Sequence, residues 1–207
     1  MEIISHRGFW NVPSEKNTET AFIRSFNSGF GIETDVRDFG GELVISHDMP
    51  SGNEILLTDF CQFTDIKKYT LAINIKSDGT AIPLKRILSQ YGITKWFAFD
   101  MSIPDTLSHI SAGNPVFTRL SDIELEPLLL DESIGVWLDA FRDDWYSKKI
   151  ILNLLNKGKK VCIVSPELHG RNHLKVWEML RPLAHNGDLI LCTDYPLDAS
   201  NFFKNII

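Results

Sequence analysis

The side chains best suited to chemistry lie in one short segment, where Glu33 and Asp35 are separated by a single residue. Alternate side chains of a β-strand point to opposite faces, so a strand here would project both carboxylates from one face. Two like charges at this spacing raise each other's pKa unless a cation lies between them, and their oxygens suit Ca²⁺ or Mg²⁺. The spacing predicts a metal site, although such a pair is also typical of a solvated strand face.

Two histidines belong to the neighbouring segments. His6 follows a short apolar run and is joined to Arg7 and Gly8, which combines an imidazole, a planar guanidinium and a residue that permits close backbone approach. His47 follows a glycine turn and a short strand, so a hairpin would carry its ring back beside the carboxylates. These are the side-chain types that bind a phosphate and transfer protons around it.

An alternation of strands and helices must position these groups. The predicted strands cover residues 2–5, 32–36, 69–76, 95–100, 115–119, 135–139, 159–165 and 188–193. Helices are expected between them, beginning at capping residues such as Asn17 or Thr18 and including a short one around Ile123 to Leu129 and a closing one from Leu197 to Asn205. This is the pattern of an α/β protein with a (β/α)8 TIM barrel, in which polar residues at the strand ends converge on one mouth.

Length and composition predict a single compact domain over residues 1–207. The net charge of -6 argues against a nucleic-acid surface, and we expect a small-molecule substrate as the partner. No apolar run is long enough for a bilayer, and Met1 does not open a secretory signal, so neither stable membrane insertion nor export is expected. Three scattered cysteines without zinc-ligand spacing also fit a cytoplasmic protein.

Several motifs, taken in order, resemble the opening signature of the glycerophosphodiester phosphodiesterase family, within the superfamily of phosphodiesterases similar to phosphatidylinositol-specific phospholipase C. They are His6-Arg7-Gly8, Asn17-Thr18 with Ala21-Phe22, Gly31-Ile32-Glu33-Thr34-Asp35-Val36, and His47-Asp48. The family's C-terminal mark recurs as Thr193-Asp194-Tyr195-Pro196, whereas the middle third matches only loosely through Ile73-Asn74-Ile75-Lys76 and Phe99-Asp100. Several motifs in order over nearly the whole length are more specific than any one of them.

The resemblance implies a metal-dependent phosphoric diester hydrolase of lipid metabolism, which converts a glycerophosphodiester to glycerol phosphate and an alcohol. It implies that Glu33 and Asp35 are ligands of Ca²⁺ or Mg²⁺. It also implies that Arg7 and Lys76 bind the substrate phosphate. The general acid and base would be His6 and His47. The sequence does not decide which histidine is the acid.

Three departures from the family pattern bear on this chemistry. Asn74 stands where the family usually has a third glutamate ligand, and an amide oxygen binds such a metal without adding negative charge. Lys16 replaces the usual glutamate before Asn-Thr, which makes the predicted mouth more positive. Glu167 either restores the missing carboxylate on the metal, with His169 or Arg171 reading the distal group of the substrate, or merely caps the next helix or pairs with Arg171.

Two alternatives to the hydrolase remain open. The first is a lyase or transferase on the same barrel, similar to sphingomyelinase D or phosphatidylinositol-specific phospholipase C. The second is a binding barrel that has lost turnover because Asn74 replaces the usual glutamate.

Trp10 is expected to form a wall of the substrate pocket, because it follows the His6 corner. The leaving alcohol, the metal and the oligomeric state are not fixed by the sequence.

Overall fold

The computed structural model describes residues 1–204, which alternate strands with helices. The strands are β1 (Glu2–His6), β2 (Gly31–Phe39), β3 (Glu42–Ile45), β4 (Leu71–Ile75), β5 (Trp96–Phe99), β6 (Phe117–Leu120), β7 (Gly135–Leu138), β8 (Lys160–Val164) and β9 (Leu189–Thr193). The helices are α1 (Glu19–Asn27), α2 (Leu57–Phe60), α3 (Ala81–Gln90), α4 (Ile103–Ser111), α5 (Lys148–Asn156), α6 (Leu174–Leu180) and α7 (Pro196–Lys204). All strands but β3 belong to the parallel set of an α/β (β/α)8 TIM barrel, so the predicted fold class is confirmed.

The chain divides into two units, of which the N-terminal unit is His6–Val116. Here β4 lies between β2 and β5 in parallel, and β3 forms an antiparallel hairpin with β2. Helix α1 packs Phe22 edge to face against Phe60, with ring centroids 4.8 Å apart and both side chains fully buried. Each such ring contributes about 1.5–3 kcal/mol by leaving water, which fixes α1 against α2.

The C-terminal unit comprises Met1–Ser5 and the chain from Phe117 onward. Its parallel strands lie in the order β1-β9-β8-β7-β6. Trp177 of α6 is buried on this sheet, and its indole Nε1 donates a hydrogen bond of 2.9 Å to Ser165 Oγ at the end of β8. β7 begins at Gly135. A side chain at this position would clash with Phe117, because a Cβ would lie 2.5 Å from its ring.

All eight strands that the sequence predicts are present, but the helix predicted around Ile123 to Leu129 is wrong, because this segment forms turns. The carbonyl of Glu124, which a helix would pair with the N–H of Leu128, instead accepts from the N–H of Ser121 at 3.0 Å, and Leu129 has a φ of 55°, outside the helical region. Pro127 then offers no N–H and disfavours a helical conformation before it. The closing helix is described as far as Lys204, and Asn205 lies outside the described residues. No helix within residues 1–204 is long and apolar enough to span a membrane.

A buried polar cluster joins α3 to α4 in the N-terminal unit. The ring of His109 is fully buried, with Nδ1 3.1 Å from Asn114 Nδ2 and Nε2 3.5 Å from Asp105 Oδ2. Asn114 also donates to the carbonyl of Ala81 at 2.9 Å, and Asp105 accepts from the N–H of Gly79 at 2.9 Å. Burial lowers the pKa of His109, and the charge of Asp105 opposes that effect. His109 therefore serves the fold as a neutral ring.

Acidification is expected to destabilise the fold through His109. Its folded pKa is lowered, so below about pH 6.5, the usual histidine value, the unfolded chain binds a proton that the folded chain resists. The free energy of unfolding should therefore fall with pH in this range, and His109→Gln should flatten that dependence. Urea unfolding at about pH 7.5 and about pH 5.5 measures it. His185→Gln, at an exposed position, is the control, and identical pH dependence in wild type and His109→Gln would contradict the prediction.

The turn after β1 requires a glycine at position 8. Gly8 has a φ of +84°, in the left-handed region that residues with a Cβ rarely adopt. A Cβ here would lie 2.8 Å from Ala21 Cβ and 2.9 Å from the carbonyl carbon of Ala21. The turn that carries His6 and Arg7 can therefore lie this close to α1 only because position 8 has no side chain.

Gly8→Ala is expected to lower the free energy of unfolding by about 2–4 kcal/mol, by adding steric overlap to a left-handed backbone that costs about 1–2 kcal/mol. Gly29→Ala is the matched control, because Gly29 has a φ of +83° and nothing within 4 Å of its Cβ position. The free energy of unfolding of Gly29→Ala should fall only by the cost of the left-handed backbone, about 1–2 kcal/mol. Denaturant unfolding of both variants measures the difference, and equal losses would show that the contact with α1 is unimportant.

Candidate functional site

The acidic pair lies on β2 and is almost completely removed from solvent. Glu33 is 2% exposed and Asp35 is 0% exposed. Burial raises the pKa of Glu33 well above its usual value, and the charge of Asp35 raises it further, whereas Arg7 and Lys76 lower it. A pair in these surroundings is not a solvated strand face, because ionised carboxylates are buried only where cations or hydrogen-bond donors compensate them.

Asp35 is compensated by three side chains. Its Oδ2 accepts a hydrogen bond of 2.8 Å from Asn17 Nδ2 and lies 3.1 Å from Arg7 Nε. Its Oδ1 lies 3.3 Å from Lys76 Nζ. The side chains of Arg7 and Lys76 each keep 22% exposure, so one carboxylate orients both cations while solvent still reaches them. The structure thus brings together the two residues that the sequence predicts as phosphate ligands.

The backbone of Arg7 is anchored to β2. Its N–H donates to the carbonyl oxygen of Glu33 at 2.8 Å and to Glu33 Oε2 at 3.2 Å. Arg7 has a φ of 57°, a left-handed conformation that a non-glycine residue keeps only where its surroundings hold it. His6, the preceding residue, places Nε2 3.9 Å from Glu33 Oε2. The same carboxylate therefore contacts the first candidate proton-transfer group.

His47 follows β3 in a more open position, with 43% of its side chain exposed. Its Nδ1 lies 2.8 Å from Asp48 Oδ1, and this hydrogen bond lowers the pKa of Asp48. The contact leaves Nε2 as the ring nitrogen available for proton transfer. His47 also lines a pocket of about 540 Å³ together with Arg7 and Lys16. The second predicted histidine thus shares a pocket with one of the predicted phosphate ligands.

Strand β4 carries Asn74, the amide residue at the position where the resembled family usually has a glutamate. Asn74 is paired in register with Asp35, and its Nδ2 donates to Asp100 Oδ2 at 3.3 Å. Asn74 Oδ1 is buried without a hydrogen-bond partner, and Asp35 Oδ1 faces the ammonium of Lys76 at 3.3 Å. Within residues 1–204 no group of three or more His, Cys, Asp and Glu side chains is arranged to hold a metal ion, so a cation bound here would need the amide oxygen of Asn74 as a ligand. Buried oxygens from adjacent strands fit a hard divalent cation.

Glu167 lies in the C-terminal unit, in the single 3₁₀ turn after β8. Its Oε1 accepts hydrogen bonds from the Thr193 hydroxyl and, at 3.1 Å, from the N–H of Asp194. Its Oε2 accepts a hydrogen bond from the Ser165 hydroxyl. These donors hold the carboxylate at the ends of β8 and β9. Its role as a metal ligand stays a prediction.

The other two residues of this segment have partners of their own. Arg171 pairs with Asp144 rather than with Glu167, and it also donates to the carbonyl of Ala140. His169 Nε2 lies 2.7 Å from Asp139 Oδ1. The ion pair between Glu167 and Arg171 that the sequence left open is therefore wrong, while a role for either basic residue in reading substrate stays a prediction.

Asn17 contacts Asp35, although the sequence argument treated it as a possible helix cap and as part of a family motif rather than as a site residue. Thr18 is the N-cap of α1, since its Oγ1 accepts from the N–H of Ala21 at 3.5 Å. Asn17 instead accepts from Thr34 Oγ1 at 2.9 Å and donates to Asp35, and its N–H donates to the carbonyl of Arg7 at 2.9 Å. The sequence signal for this role was the position of Asn17 one residue before the N-cap, where its side chain is not needed to cap the helix.

His6 and Arg7 stand at the carboxyl end of β1 and Lys76 directly follows β4, whereas Glu33 and Asp35 lie within β2 in register with β4. In (β/α)8 barrels the active site lies at the carboxyl ends of the strands. Solved glycerophosphodiester phosphodiesterases share the fold. That from Agrobacterium tumefaciens is 18% identical with a TM-score of 0.69, covering 98% of this chain and 99% of its own. One from Parabacteroides distasonis is 13% identical with a TM-score of 0.71, covering 100% and 87%. An Oleispira antarctica phosphodiesterase in complex with the product sn-glycerol-3-phosphate is 15% identical with a TM-score of 0.72, covering 99% and 97%. No protein-family model and no curated protein matches the sequence.

Asp35→Ala is expected to lower the free energy of unfolding by about 3 kcal/mol, because it leaves Arg7 and Lys76 close together without their anion. The value is at the lower end for a broken buried pair, since both cations are partly hydrated. Asp38→Ala, on the exposed end of the same strand, should change stability by less than about 0.5 kcal/mol. Urea unfolding of the two variants compares them, and similar effects would mean that Asp35 does not organise the site.

Proposed function

We propose that the chain belongs to the glycerophosphodiester phosphodiesterase family and hydrolyses a glycerophosphodiester, or a related glycerol-phosphate diester, to glycerol phosphate and an alcohol. The observation that carries the proposal is the buried Asp35, which orients Arg7 and Lys76 beside the segment that bears His6. The fold shared with solved phosphodiesterases supports it, one of them in complex with sn-glycerol-3-phosphate.

Arg7 and Lys76 bind the phosphate of the diester in this proposal. The guanidinium of Arg7 offers two parallel donors to phosphate oxygens, and the ammonium of Lys76 acts as a compact point charge. Both cations are already oriented by Asp35 before substrate arrives, so little reorganisation is needed as charge develops on the phosphoryl oxygens. Loss of either cation should therefore reduce the stabilisation of the transition state more than that of the bound substrate.

His6 and His47 carry the protons. One accepts a proton from the attacking hydroxyl, and the other gives a proton to the oxygen of the leaving alcohol, so the pair ends with its protons exchanged. The family resemblance implies that the attacking group is the neighbouring glycerol hydroxyl and that water then opens the cyclic phosphate. The opening step runs the same proton transfers in reverse, which restores both histidines to their starting states.

The proposed divalent cation, Ca²⁺ or Mg²⁺, is held by Glu33, Asp35 and Asn74, with Glu167 as a further proposed ligand. When bound, it neutralises negative charge on a non-bridging phosphate oxygen. Asn74 adds an oxygen without a charge, so we expect weaker binding than three carboxylates would give. We propose a cytoplasmic role in lipid metabolism, since the cysteines Cys61, Cys162 and Cys192 are free and buried, as in a reducing compartment.

The test is the release of sn-glycerol-3-phosphate from glycerophosphodiesters with added Ca²⁺ or Mg²⁺, followed by phosphorus NMR. Removal of the metal by a chelator should abolish turnover, and His6→Ala should lower kcat by about 10²–10⁴-fold through loss of proton transfer. His185→Ala, which changes an exposed histidine, is the matched control.

Three outcomes would contradict the proposed reaction or its assigned residues. No glycerol phosphate from any diester with either metal would favour the binding barrel, and undiminished activity in His6→Ala would remove the assigned acid–base pair. A cyclic phosphate that accumulates as the final product would instead identify a lyase or transferase.

A further inference from the structure

We infer that Arg37 is a third cation that binds the phosphate of the diester, beside Arg7 and Lys76. The inference rests on the proposed function, because it adds a residue to the same phosphate-binding centre. Arg37 belongs to β2, two residues after Asp35, and the strand period of two places both side chains on one face. Arg37 therefore lies one strand step, about 6.6 Å, further toward the end of β2.

Arg37 and Lys76 are neighbours across two parallel strands. Val36 of β2 is paired in register with Ile75 of β4, and the N–H of Lys76 donates to the carbonyl of Val36 at 2.9 Å. The pairing therefore continues by one residue, which brings Lys76 beside Arg37 on strands about 5 Å apart. Like charges at directly opposite positions are unfavourable unless an anion compensates them.

The two neighbouring cations differ in their compensation. Lys76 Nζ lies 3.3 Å from Asp35 Oδ1. Within residues 1–204 the guanidinium of Arg37 forms no ion pair, and its Nε is buried without a hydrogen-bond partner. A buried donor without an acceptor is unfavourable. An anionic ligand would supply the compensation that the chain does not give to Arg37.

Asp48 is a carboxylate within electrostatic reach of Arg37. Its pKa is lowered first by the hydrogen bond with His47, and the charges of Arg7 and Arg37 contribute to the same effect. The side chain of Asp48 is 93% exposed, and its Oδ1 lies 2.8 Å from His47 Nδ1. Water screens attraction at such an exposed position, so Asp48 does not neutralise Arg37. The effect on Asp48 does show that the charge of Arg37 reaches the segment that bears His47.

The phosphate must approach Arg7 and Lys76 from the side on which Arg37 lies. Asp35 is 0% exposed and occupies the inner side of both cations. Along β2 the chain changes from buried at Asp35 to partly exposed at Arg37 and exposed at Asp38. Substrate therefore arrives from the end of β2 that Arg37 occupies. A phosphate that contacts the two inner cations from this side meets the guanidinium of Arg37 as a further donor.

Arg37→Met tests the inference in the reaction, because it removes the charge and keeps a long side chain. kcat/KM should fall by about 10-fold to 100-fold for both glycerophosphoethanolamine and glycerophosphoserine, since the two share the same phosphate. Arg37→Lys retains a cation and should recover part of this loss. Arg86→Met removes an exposed arginine of α3 with the same change in net charge, and should keep the wild-type kcat/KM.

Calorimetric titration with sn-glycerol-3-phosphate, with Mg²⁺ present, measures the same contact without turnover. Arg37→Met should raise the Kd by about tenfold, because a charge-assisted hydrogen bond to the phosphate is lost. Arg86→Met should have the wild-type Kd. Circular dichroism of each variant checks folding, and Arg37→Gln replaces Arg37→Met if the latter does not fold.

The outcomes separate this inference from the proposed reaction. If wild type hydrolyses the diesters and Arg37→Met matches it in kcat/KM or in Kd, the inference is wrong and the reaction stands. A loss confined to the serine diester would also overturn it, because Arg37 would then bind the alcohol. If wild type hydrolyses neither diester, the reaction fails and the titration decides the inference. Weaker binding in Arg37→Met then supports it, whereas equal binding, or no binding by wild type, overturns it.

Discussion

The site depends on one buried charge. Asp35 is fully removed from water, and an ionised carboxylate there would be strongly unfavourable without cations and hydrogen-bond donors. Its compensation comes from three places in the sequence: Arg7 after β1, Asn17 before α1, and Lys76 after β4. Because the fold can bury Asp35 only when these segments meet, the requirement to neutralise one carboxylate also assembles two cations at the ends of the strands.

The backbone around Asp35 reflects the same constraint. Arg7 and Asn17 both adopt left-handed conformations, with φ of 57° and 58°, although neither is a glycine. Such conformations cost of order 1–3 kcal/mol each and persist where surrounding contacts over-determine them. At these two positions the contacts are the bonds to Glu33, Thr34 and Asp35 on β2. Local strain and site geometry therefore have one cause, the contacts of these two residues with the buried strand β2.

Much of this arrangement follows from the sequence, because strand periodicity is a local property. The period of two places Glu33 with Asp35, and Asn74 with Lys76, on common faces, and parallel pairing in register joins the two sets. The errors arise where a tight turn or a distant side chain overrides the local pattern. The N–H of Ser121 pairs with the carbonyl of Glu124 in a segment with helical pattern, and Arg171 pairs with Asp144, 27 residues away, rather than with Glu167. Neither interaction has a periodic signal.

The hydrogen bond between the N–H of Asn17 and the carbonyl of Arg7 has a consequence for how such a chain can diversify. It is made by main-chain atoms alone, so it places no demand of its own on the residues after Gly8, which the contact with α1 keeps as glycine, and the entropy of closing a loop grows only slowly with its length. Insertions and exchanges in this excursion can therefore accumulate while its two ends stay fixed. Chains that differ in this excursion would therefore still inherit the contacts of Arg7 and Asn17 with β2.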